Sequence, residues 1–191
     1  MNFRGLARSV CGVDVEAIVL ENPHLDDAGV IEDGKIPYED DKFDLVVSSY
    51  VMEHIQEPAV VFHEIARVMK PGGLCIWRSP NRWHYVAVVA SLTPHKFHEW
   101  VNAKRGREDR DTFPTVYRVN TIRAIRRYAE EAGFDIETII CDEGRPEYLR
   151  LTAPTYLLGT LFERFVNSCD CFSRLRANFT VTMRKRAAGN N

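Results

Sequence analysis

No stretch of this 191-residue chain approaches the roughly 18 consecutive apolar residues that a membrane-crossing helix needs. The opening segment, Met1-Asn2-Phe3-Arg4-Gly5-Leu6-Ala7-Arg8, lacks the apolar core of a secretory signal, so the expected compartment is cytoplasmic. Neither charge dominates. The 25 Lys and Arg face 27 Asp and Glu, a formal charge of -2, and no global field argues for nucleic acid as a partner. The five cysteines show no paired CxxC spacing, and their odd count makes a poor disulfide framework. Cys11 and Cys75 lie in apolar runs and read as reduced core thiols. Cys169-Asp170-Cys171 has no nearby His and reads as two unrelated thiols, not a metal site. There is no internal repeat or low-complexity segment. The charge runs Glu39-Asp40-Asp41 and Arg184-Lys185-Arg186 read as a solvated turn and a frayed tail.

What is present is enough for one core. With 45% hydrophobic residues, the length calls for a single domain over 1–191, with an insertion at 82–119 and a flexible tail at 184–191. Short apolar runs at 10–13, 29–31, 43–49, 74–77 and 136–141 predict strands, the first ending in Asp14 and expected to be buried. Pro58 opens a helix with Val61, Ile65 and Val68 on one face, and Lys70-Pro71-Gly72-Gly73 stops it. Asn120 is the expected cap of a second helix carrying Ile122, Ile125 and Ala129, ended by Gly133. An apolar-rich helix runs from Tyr156 to Val166, and residues 178–183 alternate like a final antiparallel strand. Strand, helix and strand in this order predict an α/β fold with a mostly parallel sheet and right-handed connections.

The block Phe43-Asp44-Leu45-Val46-Val47-Ser48-Ser49-Tyr50-Val51-Met52-Glu53-His54, followed by Lys70-Pro71-Gly72-Gly73, resembles the centre of class I S-adenosylmethionine (SAM)-dependent methyltransferases, particularly the methyltransferase type 11 group. The resemblance implies a Rossmann-like sheet, SAM as cofactor and methyl transfer to a small-molecule acceptor. By the same resemblance, Asp14 in Gly12-Val13-Asp14 holds both ribose hydroxyls, a task suited to a short rigid carboxylate. The adenine side falls to Glu32-Asp33-Gly34; either acid can accept from the adenine amino group, Asp33 being favoured, or both are solvated turn residues. Ser48, Ser49 and Tyr50 fall at the methionine end. Tyr50 is there a cation–π partner of the sulfonium or else a core aromatic. Asp44 reads as structural.

Methyl transfer from a sulfonium needs alignment and exclusion of water, with no metal or covalent nucleophile. For a hydroxyl acceptor a general base helps, and His54, His84, His95 and His98 qualify by titration range, His84 foremost and His54 next. Trp83, His84, Tyr85, Phe97, His98 and Trp100 form either an acceptor pocket or a satellite core. Arg105, Arg107, Arg110, Arg118 and Arg123 either grip an anionic acceptor or face water. The family's first strand and glycine-rich turn have no counterpart ahead of Gly12, so the expected sheet is incomplete at its N-terminal side. An open edge there invites self-association, and a non-catalytic binding or scaffold module is the alternative reading. A membrane-surface role for Leu151 to Phe172 competes with simple packing of that stripe against the sheet.

Overall fold

A computed structural model describes residues 3–92, 114–144, 149–150 and 152–187. The elements are β1 (Cys11–Asp14), β2 (Asp27–Val30), β3 (Phe43–Ser49), α1 (Pro58–Val68), β4 (Met69–Pro80), α2 (Tyr85–Leu92), α3 (Ile122–Glu131), β5 (Phe134–Asp142), α4 (Ala153–Asn167) and β6 (Asn178–Lys185). Among the described residues the strands form two sheets: a parallel pair, β1-β2, and a four-stranded sheet in the order β3-β4-β6-β5. β3 is parallel to β4, whereas β6 runs antiparallel to both β4 and β5. Three of the four strands therefore point one way and only the last is reversed, the Rossmann-like arrangement expected.

The core lies under α1 and α3. Phe62 of α1 meets the edge of Trp77 at 6.5 Å and packs on Tyr128 of α3 at 5.9 Å, and Phe134, Phe179 and Met183 close the layer. Alternate residues of β4 and β6 supply the buried face, the period-two signature of a strand packed on one side. Ahead of it, the 70–73 segment loops out of the β3–β4 register instead of serving as a helix stop, since α1 already ends at Val68. Gly73 is required there, because a Cβ would sit 2.9 Å from the Lys70 carbonyl oxygen and 3.1 Å from that of Asp44.

Three expectations are corrected. β1 is not buried: among the described residues it pairs on one side only, and Val13 is 37% exposed. Thr121, not Asn120, caps α3, its Oγ1 accepting from the Ala124 amide at 3.2 Å, because Asn120 is drawn into the core. Nor do Arg184 and Lys185 fray: both lie in β6, where they pair with Glu137 and Asp41, and Arg186 pairs with Asp135. Among the described residues no helix is long and apolar enough to cross a membrane.

The two sheets are joined by side chains and a loop. Tyr38 meets the edge of Phe43, the first residue of β3, at 5.1 Å, while its hydroxyl lies against Cys11 and Asp27, the first residues of β1 and β2. Arg67 of α1 donates to the carbonyls of Ile36 (2.9 Å) and Tyr38 (2.8 Å) and pairs with Glu64 and Asp40; Glu64 in turn accepts from the Ile36 amide at 3.0 Å. This clasp fixes the loop after β2 onto α1. The Arg67 hydrogen bond, followed by that from the Ile36 amide, holds the Glu64 carboxyl below the usual carboxylate range against the opposing effect of burial. Such a group stabilises the fold above its unfolded value of about 4.3, and the contribution vanishes as pH falls through the lowered folded value. Arg67→Ala should cost about 2 kcal/mol at neutral pH. In urea titrations the gap between wild type and variant should narrow below pH about 4; a gap independent of pH would remove Glu64 from the account.

Candidate functional site

Open α/β sheets bind ligands outside the carboxyl ends of their strands. Strands β1, β2 and β3 begin around one ring, Tyr38, and the loop leaving β2 leans on the first turn of α1, where Gly34 lies against Val60. Among the described residues β1 and β3 belong to separate sheets and share no ladder.

At the end of β1, Asp14 is exposed, and its Oδ1 accepts from the Glu16 amide at 3.1 Å. It lines an open depression of about 460 Å³ with Ile18, Val19, Glu21 and Asn22. Gly12 has no side chain where Leu25 packs: a Cβ there would stand 2.3 Å from the Leu25 Cδ1. After β2, the Glu32–Lys35 turn closes with the Lys35 amide on the Glu32 carbonyl at 2.8 Å. Asp33 (φ 49°) and Gly34 (φ 75°) take left-handed conformations at its tip, and both acids are exposed. Asp is among the few non-glycine residues that tolerate this region.

At the end of β3, Ser48 and Ser49 stand opposite Trp77 and Arg78 of β4. The Ser48 hydroxyl is buried with no hydrogen-bond partner among the described residues. Tyr50 is not a core aromatic: with φ 57° and 48% exposure, it turns over the end of β4 and its hydroxyl donates to the Asn178 Oδ1 at 3.4 Å. Behind it lies a polar cluster that pattern reading missed. The Glu53 side chain, 4% exposed, accepts from the Ser79 hydroxyl at 2.7 Å, and the Asn120 amide donates to that hydroxyl (2.7 Å) and to the Pro80 carbonyl (2.6 Å). The Glu53 carbonyl also accepts from the amides of Val116 and Tyr117. These bonds pin 114–121 against the rim.

His54 Nδ1 lies 3.2 Å from the Pro114 carbonyl, and its Nε2 lies 3.9 Å from Glu53 Oε1. His84 is buried, stacked near Tyr85 and Phe162. Its Nε2 is 3.2 Å from Glu143 Oε2, not aligned as a hydrogen bond, and both atoms are otherwise without a polar partner among the described residues. Glu143, just past β5, had no sequence signal. Trp83 is exposed, so the aromatic set divides between solvent and a small cluster under α4. Phe97, His98, Trp100, His95, Arg105, Arg107 and Arg110 lie outside the described residues. Arg118 donates to the Gln56 carbonyl, Arg123 is exposed, and Asp44 pairs with Lys70 at the surface. Burial pushes the Cys75 thiol up to about 12, which makes it inert, and Cys11 is half-buried.

A family model described as a methyltransferase domain matches residues 2–139. A ubiquinone biosynthesis O-methyltransferase of Thiobacillus denitrificans is 26% identical over 178 residues, covering 82% of this chain and 70% of that protein. An uncharacterized methyltransferase of Mycobacteroides abscessus is 26% identical over 103 residues, 51% of this chain; the match spans only 40% of that relative's length. Among solved structures, a SAM-dependent methyltransferase from Mesorhizobium loti superposes with a TM-score of 0.53 at 16% identity, covering 94% of this chain and 81% of the other.

Proposed function

The chain belongs to the class I SAM-dependent methyltransferase family, and on that premise we propose that it binds SAM through Asp14, Glu32, Asp33, Gly34, Ser48, Ser49 and Tyr50 and directs methyl transfer to a small-molecule acceptor. The observation that carries the reading is the exposed Asp14 carboxylate at the end of β1, lining an open depression. The fit is good for a nucleoside. Asp14 keeps Oδ2 for a vicinal diol, the depression beside it is lined by Ile18 and Val19, and the Glu32–Asp33 tip offers exposed acceptors. When bound, SAM supplies an electrophilic methyl on a sulfonium.

The chain's own residues then have three tasks. Asp14 and the turn acids orient the nucleoside; Ser48, Ser49 and Tyr50 border the methionine end. His84 takes the proton of an acceptor hydroxyl, with the Glu143 carboxylate beside it to stabilise the imidazolium, and His54 is the second candidate base. A hydroxyl acceptor is in keeping with the O-methyltransferase relative. The unit carrying this chemistry is one domain over the whole chain.

The second reading, a non-catalytic module that pairs with itself, is supported by the outer edges of β1 and β3, which carry no partner strand among the described residues. Calorimetric titration with SAM, followed by light scattering on the same sample, separates the two. Micromolar binding by a monomer supports the enzyme; no heat at millimolar SAM, with a dimer in solution, overturns it.

A further inference from the structure

The apolar stripe of α4 does not pack against the sheet as the sequence suggested. Gly159 and Val166 face inward, while Leu157 (60% exposed), Leu158 (63%), Leu161 (54%) and Phe165 (51%) face out. At 100° per residue these four share one side of the helix, and Phe172 in the following turn extends it by packing on Phe165 at 4.3 Å. A contiguous outward apolar face of this kind marks a contact surface.

The surrounding charge says which kind. The chain as a whole carries -2, yet residues 149–176 hold Arg150, Arg164, Arg174 and Arg176 against Glu163 and Asp170 alone. Asp170 is already paired with Arg176. Arg164 is adjacent to the stripe on the helix, Arg174 follows Phe172, and both are exposed with no carboxylate partner among the described residues. A second copy of the chain seated on this face by a twofold axis would bring the two arginine rims together. An anionic surface satisfies them instead.

We propose that α4 and the turn after it form a docking face for an anionic lipid surface, with Leu157, Leu158, Leu161 and Phe165 seated at the acyl boundary and Arg164 and Arg174 at the phosphates. The proposal does not depend on methyl transfer. His84 touches Phe162 on the inner side of the same helix, so docking would present the proposed acceptor side to molecules held at that surface.

Vesicle flotation tests it with the full chain and no methyl donor. Binding is expected to vesicles of phosphatidylcholine with 30% phosphatidylglycerol, weakened by salt and weak on phosphatidylcholine alone. The double variant Leu157→Glu/Leu161→Glu should lose at least about tenfold in partitioning. Arg164→Gln and Arg174→Gln should lose roughly fivefold each. All four positions are exposed, so the variants should melt with the wild type. Absence of flotation with the anionic vesicles overturns the proposal, as does flotation indifferent to the leucine pair. So does a dimer by light scattering that the leucine pair dissolves, since a second copy would then own the face.

Discussion

Asp14→Ala should weaken SAM binding by roughly a hundredfold or more. A carboxylate accepting two hydroxyl hydrogen bonds makes charge-assisted contacts of about 1.5–3 kcal/mol each, and their joint loss amounts to at least two decades in Kd. The structure makes this variant clean. Asp14 is exposed and the one described hydrogen bond of its side chain is from the Glu16 amide, so folding should be almost untouched. Asp14→Asn separates charge from shape: it keeps an acceptor oxygen but replaces the second by a donor, and should fall between the two. Isothermal titration at fixed salt reads all three proteins. Wild-type affinity in the alanine variant would detach Asp14 from the nucleoside and leave the rim of β3 without its partner.

Glu53→Ala should be the most destabilising of the rim substitutions, by about 3 kcal/mol. Its side chain is almost fully buried and accepts from the Ser79 hydroxyl, which itself receives the Asn120 amide. Removing the acceptor strands a buried hydroxyl, costing about 1–3 kcal/mol, and leaves a void that the surrounding rim must fill. Glu53→Gln keeps the volume and one acceptor oxygen and should recover much of the loss. Because the network also fixes residues 114–121, the alanine variant should become sensitive to protease within 114–121 before it unfolds globally. Urea denaturation and limited proteolysis report the two effects separately, and a loss under about 1 kcal/mol would show the cluster to be ornamental.

The strands were the most legible part of the sequence, because an apolar run bounded by turn residues has few other readings; the predicted span of β3, 43–49, is the observed one. Side-chain partnerships were not. Glu53, Ser79 and Asn120 lie far apart in the chain and meet only when β4 is in place, and Glu143 is a single acid after a strand with no periodicity to mark it. Asn120 and Thr121 are both good helix caps, and which one serves depends on a core the chain does not announce. The amphipathic pattern of α4 was visible, but periodicity identifies a face without saying what lies opposite it.

The division of the sheet has an energetic consequence for any ligand of Asp14. Among the described residues the β1–β2 pair is coupled to the larger sheet through Tyr38 and the Arg67 clasp, with no backbone ladder between the two sheets, so weakening the clasp should loosen the seating of the pair. Observed affinity is the intrinsic affinity multiplied by the seated fraction. Arg67→Ala should therefore lower the affinity of any ligand held by Asp14, although Arg67 itself need not touch that ligand.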